Sequence, residues 1–163
     1  MEKLWRTWRM EYIESDRDLA GECIFCELPR KEPEEALVLK DTVLAFVVMN
    51  LYPYNPGHVM VAPRRHTAAL ESLDPDEMAH IGKLLQEVVD VLQAKMTPDG
   101  FNIGMNLGTA AGAGVPGHLH WHVVPRWNGD SNFMPIIGEA RVLPELVTAT
   151  YKKLRPGFRD AHL

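Results

Sequence analysis

Residues 117–126 read Gly-His-Leu-His-Trp-His-Val-Val-Pro-Arg, and the alternation within them constrains the fold more than any other part of the chain. Side chains on a β-strand point to opposite faces in turn, so residues two apart share a face at about 6.5–7 Å. His118, His120 and His122 therefore project from one side, while Leu119, Trp121 and Val123 take the other and anchor the strand in a core. A single strand histidine is ordinarily a satisfied structural residue. Three in register spend packing surface on imidazole, which points to chemistry. Such a strand needs sheet neighbours and a covering layer, and 163 residues, 46% of them hydrophobic, supply about one domain's worth of core.

The neighbours are legible. Residues 36–39 and 43–49 read as strands around Lys40-Asp41, the second apolar on both faces and hence central. Asn50 to Gly57 breaks the run with two prolines and a glycine, and His58 to Pro63 forms a third strand that completes a meander. Thr67 opens a short turn. Asp74-Pro75-Asp76-Glu77 then starts a long helix, with a cap, proline at the first helical position and acids on the dipole. Met78, Ile81, Leu84, Leu85, Val88, Val91, Leu92 and Met96 recur at helical spacing, and Thr97-Pro98-Asp99-Gly100 ends the helix. A strand over 101–107, a loop rich in glycine and alanine, the histidine strand and a last helix to about Leu154 follow. Trp5, Trp8 and Tyr12 predict a short amphipathic helix over 2–14. The order predicts an α+β fold: a mainly antiparallel sheet of about five strands, one long helix across a face and a shorter C-terminal helix. We expect one domain over 1–163, with 1–22 as a helical extension and 128–163 as tail and helix.

Charge and composition narrow the function. A formal charge of −5 disfavours nucleic acid as a partner, because phosphate-gripping proteins carry basic excess. The longest apolar run, Val43 to Met49, is far short of the roughly 18 residues of a membrane span. Glu2, Arg6, Arg9 and Glu11 interrupt the N-terminus, which does not read as an export signal, so a cytoplasmic protein is expected. Two cysteines three apart suit a reducing compartment.

Two chemistries use a row of imidazoles. One is a metal held by a His-x-His pair, which in cupin-like sites wants a carboxylate about four residues on; Val123, Val124, Pro125 and Arg126 do not supply it. The other is nucleophilic attack on phosphorus. Imidazole is largely neutral at pH 7, its unperturbed pKa being about 6.5, and it can form a covalent phosphoramidate while its neighbours donate to the phosphoryl oxygens. The preceding loop favours this second chemistry, because Gly108, Gly112, Gly114 and Gly117 allow backbone N–H groups close to an anion. Cys23 and Cys26 have the spacing of half a tetrahedral zinc site, with partners that spacing cannot name. A pair of reduced buried thiols is the plainer alternative.

With these residues in view, Gly117 to Arg126 resembles the signature of the histidine triad family, His-φ-His-φ-His-φ-φ. Asn50 to Met60 resembles the family's nucleoside-side segment, and Asn106-Leu107-Gly108 with the following Ala-Gly-Ala-Gly resembles its phosphate loop. The stretch from Gly129 to Leu146 is similar to the tail of the bacterial branch that contains diadenosine tetraphosphate phosphorylases; fragile histidine triad hydrolases are close relatives. The resemblance implies the family's fold and a nucleotidyl transferase or hydrolase acting on dinucleoside polyphosphates through an adenylyl-histidine. Its catalytic residues would be His120 as nucleophile, His122 at the phosphate and leaving group, and His58 as a supporting fourth histidine. The nucleotide would be bound by Asn50 at the ribose, by Asn106, Gly112 and Gly114 at the phosphates, and by His118 and His122. Where many members carry Ser, Thr or Gln just before the triad, this chain has Gly114, Val115 and Pro116, so backbone N–H groups, or Ser131 and Asn132, are expected to substitute.

The same resemblance implies structural zinc on Cys23, Cys26, His66 and His118, and a homodimer. Mg²⁺ could screen a polyphosphate, and with no carboxylate motif to hold it, it is expected to come with the substrate. The resemblance leaves two other outcomes: a hydrolase of other AMP esters or phosphoramidates, and a nucleotide-binding module without turnover.

Overall fold

In the computed structural model, which describes residues 23–130 and 145–158, short elements come first because prolines forbid long ones. Helix α1 (Ile24–Glu27) runs into a single 3₁₀ turn that begins at Leu28-Pro29, and α2 (Pro33–Ala36) starts on Pro33 and ends on Leu37 in the left-handed region, φ 55°. Strands β1 (Val38–Asp41), β2 (Ala45–Met49) and β3 (Val59–Pro63) form the expected antiparallel meander. Helix α3 (Pro75–Met96) then crosses the sheet, and β4 (Gly100–Gly104) and β5 (Trp121–Arg126) complete it. All five strands pair antiparallel in the order β1-β2-β3-β5-β4, which puts the histidine strand inside the sheet and leaves β4 at its edge. Helix α4 (Val147–Leu154) and a following 3₁₀ turn (Arg155–Gly157) close the described chain. The expected helix over 2–14, Ser131 and Asn132 lie outside the described residues.

Alternation along the strands sorts two cores. Leu39, Val47, Met49, Val59, Val61 and Val123 face Ile81, Leu84, Val88 and Leu92 of α3, with Tyr151 and Leu154 of α4 beside them. On the opposite face Val38, Phe46, Val48 and Ala62 pack with Phe25 and Ala36. β2 is buried along its whole length, as its two-sided apolar pattern predicts. Each fully buried leucine or isoleucine contributes about 2 kcal/mol.

Helix α3 starts where its cap residues dictate. The Asp74 backbone N–H donates to Glu77 Oε2 at 2.8 Å, while the Asp74 side chain accepts from the N3 backbone, a reciprocal capping box. The helix stops at Thr97, φ 46°, just before Pro98. Lys40 of β1, buried among apolar neighbours, reaches both oxygens of Glu87 on α3 at 2.8 and 2.9 Å. Among the described residues no helix is long and apolar enough to cross a membrane.

One expectation is corrected. The histidines do not all lie in a regular strand: β5 begins at Trp121, and His118 and His120 precede it. The β3–β5 ladder ends at Val61↔Trp121. Continuing the register would set Leu119 against Pro63, which has no N–H to give. Leu119 N–H instead donates to Thr67 O at 2.8 Å, and the Pro63 carbonyl accepts from His118 Nε2 at 2.8 Å.

Candidate active site and metal centre

The face opposite α3 carries the site. His120 is buried, and its ring lies 4.7 Å from that of Phe25 and 4.9 Å, edge-on, from that of His122. His58, just ahead of β3, is fully buried and adds a further imidazole, its ring 5.0 Å from His122 and 4.9 Å, stacked, from Tyr54. It arrives through Gly57, whose φ of +78° suits glycine, and where a Cβ would meet Met96 Sδ at 2.8 Å.

Fixed backbone groups decide which nitrogen of each ring carries its proton. A carbonyl only accepts, so the 2.8 Å contact from His120 Nδ1 to His118 O puts the proton on Nδ1 and leaves the lone pair on Nε2. Burial lowers the pKa of His120 and favours this neutral form. A backbone N–H only donates, so the Tyr54 N–H at 3.1 Å makes His58 Nδ1 an acceptor and places its proton on Nε2. Burial, then repulsion from His122 and His120 when they are protonated, push His58 down to about 3, so it stays neutral. His58 Nε2–H therefore donates to His122 Nδ1 at 2.9 Å, and His122 holds its own proton on Nε2. His120 thus offers an electron pair and His122 a donor.

Two adjoining clefts open on these rings. The narrower is lined by Asn50, Asn106, Gly112, Gly114, His120 and His122, with Phe25, Tyr52 and Tyr54. The larger, of about 530 Å³, shares Tyr54, Asn106, Gly112 and His122 with it and extends to Asn102, Gly104 and Arg126. Asn50 is oriented by accepting from the Tyr52 N–H at 2.9 Å, which turns its amide nitrogen to His58 at 3.3 Å. Asn106 donates to Gly112 O at 3.5 Å across the glycine loop, where Gly108 and Gly112 have φ of 76° and 84°.

His118 turns away from both clefts and joins Cys23, Cys26 and His66, whose donor atoms all lie within 4.8 Å of one another. His118 Nδ1 is 3.3 Å from Cys23 Sγ and 3.7 Å from Cys26 Sγ, and His66 Nδ1 is 3.4 Å from Cys26 Sγ. A tetrahedral zinc with bonds of about 2.3 Å to sulfur and about 2.05 Å to nitrogen sets S–N edges of about 3.6 Å. The four residues fit such an ion. His118 Nε2–H on the Pro63 carbonyl also holds the tautomer a metal ligand needs. Burial, and then Cys23, push the Cys26 thiol up, a preference that a metal cation at the same point reverses.

The sequence-derived residues thus fall in two groups. Asn50, His58, Asn106, Gly112, Gly114, His120 and His122 gather at the clefts, while Cys23, Cys26, His66 and His118 gather at the metal group. His118, expected at the nucleotide as well, lines neither cleft. Sequence reasoning missed Phe25, Tyr54, Asn55, Asn102 and Arg126. Strand alternation from His122 through Val124 to Arg126 was a signal for the last.

The sequence model of the HIT domain matches residues 30–129. The chain is 41% identical to AP-4-A phosphorylase of Mycobacterium tuberculosis, covering 94% of this chain and 83% of that protein. It is 35% identical to asymmetrical bis(5'-nucleosyl)-tetraphosphatase of Schizosaccharomyces pombe, over 61% of this chain and 54% of that one. Among solved structures, a Zn-bound histidine triad family protein from Mycobacterium smegmatis superposes with a TM-score of 0.67 at 28% identity, covering 83% of this chain and 92% of the other.

Proposed function

Because the chain belongs to the histidine triad (HIT) family, we propose that it is an enzyme that cleaves dinucleoside polyphosphates of the diadenosine tetraphosphate kind, with His120 as nucleophile. The observation that carries this reading is the opposite protonation of two adjacent rings. His120 Nε2 has a lone pair held ready by the His118 carbonyl, and His122 Nε2–H is held by His58.

His120 Nε2 attacks the α-phosphorus, the bond to the bridging oxygen breaks, and the nucleoside polyphosphate leaves as an anion. His122 Nε2–H donates to the charge that develops; removing one such donor typically costs about 10²–10³ in rate. The His118 carbonyl holds the Nδ1 proton of the adenylyl-imidazolium. A second nucleophile then displaces His120. Inorganic phosphate, releasing ADP, is favoured over water by the longer match to the phosphorylase. Asn50 meets the ribose, and Asn106 with the backbone of Gly112 and Gly114 meets the phosphates. His58 is a positioning residue that acts through His122. Zinc on Cys23, Cys26, His66 and His118 supplies a structural cross-link, and Mg²⁺ arrives with the substrate. A homodimer in the cytoplasm, built from one domain per chain, completes the reading.

The test is incubation with diadenosine tetraphosphate, with and without phosphate. ADP plus ATP that appears only with phosphate is expected, together with an acid-labile adenylyl group on His120 by mass spectrometry. Turnover with no adenylyl-protein in rapid quench, or no turnover of any dinucleoside polyphosphate, would overturn it.

A further inference from the structure

Resting on that reading, we propose that the larger cleft is the subsite for the phosphate chain: first the departing nucleoside polyphosphate, then the inorganic phosphate that replaces it, both anchored by the Arg126 guanidinium. The substrate is a polyanion, yet among the described residues lining the two clefts Arg126 is the one with a formal charge at neutral pH. It lies in the larger cleft, which His120 does not line. His122 lines both and lies between His120 and Arg126 on the same face of the chain.

Displacement at phosphorus sets attacking and leaving oxygens roughly in line. A group expelled by His120 Nε2 therefore departs away from His120, and the next nucleophile enters by the same side. Arg126 follows His122 by four residues, about 13 Å of strand, a distance suited to a chain of several phosphates met by a long side chain.

Arg126 is also built in rather than loose on the surface. Its Nε and one terminal nitrogen donate to the two oxygens of Asp130 at 2.6 and 2.7 Å, and the other terminal nitrogen donates to Asn102 Oδ1 at 2.7 Å. Asp130 is steadied by Asn55, a buried amide whose Nδ2 reaches Asp130 Oδ2 at 2.7 Å and Pro125 O at 2.9 Å. Those bonds use three of the five N–H donors of a guanidinium. Among the described residues the other two have no partner, and together they match the oxygens of one phosphate, for which the planar fork is pre-set.

The steps balance without a proton from the enzyme. In the first, the P–N bond forms from the His120 Nε2 pair, and the P–O bond breaks with its pair on the departing chain, which is already an anion at neutral pH. In the second, an oxygen of hydrogen phosphate forms the new P–O bond, and the P–N pair returns to His120. ADP forms and its extra proton passes to water.

Inorganic tripolyphosphate and orthophosphate, titrated calorimetrically into the full chain, test the subsite with no turnover needed. Arg126→Gln should weaken both at least ten-fold, with Arg126→Lys recovering part of the loss. In the unmutated protein, tripolyphosphate should slow phenylglyoxal modification of Arg126 at least five-fold, read by peptide mass. Binding within three-fold of the wild type in Arg126→Gln, or unprotected Arg126, overturns the proposal. If tripolyphosphate depends on Arg126 and orthophosphate does not, the acceptor half falls. Adenylyl trapping on wild-type protein reads the reaction separately: without it but with Arg126-dependent binding, the reaction fails and the subsite stands.

Discussion

His118 and His120 lie two residues apart just ahead of β5, and their rings turn different ways because different backbone carbonyls accept from them. At the cysteine end, Pro63 O accepts from His118 Nε2–H and leaves Nδ1 to the cysteines. At the cleft end, His118 O accepts from His120 Nδ1–H and leaves Nε2 to the cleft. Residue type and spacing are equal; the position of one acceptor separates a ring that turns Nδ1 to the cysteines from one that turns Nε2 to the cleft. The ends are nonetheless joined. Phe25 lies between the two cysteines in sequence, and its ring sits 5.4 Å from His118 and 4.7 Å from His120.

The largest expected effect breaks the comparison at the cleft end. His120→Asn should lower kcat by at least about 10⁴-fold, the scale seen when a covalent nucleophile is removed, while nucleotide affinity by calorimetry stays within about three-fold and the melting temperature hardly moves. Metal removal should do the reverse. Cys26→Ser, or chelation with metal content followed by mass spectrometry, should lower the melting temperature by more than about 5 °C, since about 1 kcal/mol corresponds to a few degrees in a domain this size. If stripping the metal left the melting temperature unchanged, the two ends would not differ in the way described.

His58 sharpens the contrast. His58→Asn should cost about 10² in kcat with little change in KM, because His122 loses the partner that orients it. The variant also carries a pH signature. The folded value near 3 lies below the unfolded value near 6.5. The unfolded chain therefore binds a proton that the folded one refuses, and stability falls as pH drops from 6.5 toward 3, by up to about 1.4 kcal/mol per pH unit. Urea unfolding at pH 7 and pH 5 should show a smaller loss in the variant than in the wild type. The smallest effect is at the bridge: Phe25→Leu should cost about 1–1.5 kcal/mol of stability and a several-fold loss of kcat, measured with metal content held constant.

Much of this was legible because it rests on local periodicity. The two-residue alternation placed His120 and His122 on the site face, and the Asp74 cap with helical spacing gave α3 from Pro75 to Met96. What was not legible depends on partners far along the chain. The strand's late start at Trp121 follows from Pro63, met across the sheet. Tyr54 reads as part of a turn until its N–H is seen to fix His58. Arg126 reads as the end of a family signature with no partner in view; Asp130, four residues on and held by Asn55 from another loop, fixes its guanidinium. His58 after a Pro-Gly turn reads equally as structure or chemistry, and its 2.9 Å contact with His122 supports both at once.

Gly57 bears on portability. Its left-handed turn, pressed against Met96, Leu92 and Pro125, sets where His58 emerges. Anyone grafting the three-histidine segment onto another scaffold would carry over the rings without the turn that aims the fourth. A transplant would also need Tyr54 and Pro56-Gly57-His58 against a helix end, with no bulkier residue at the hinge.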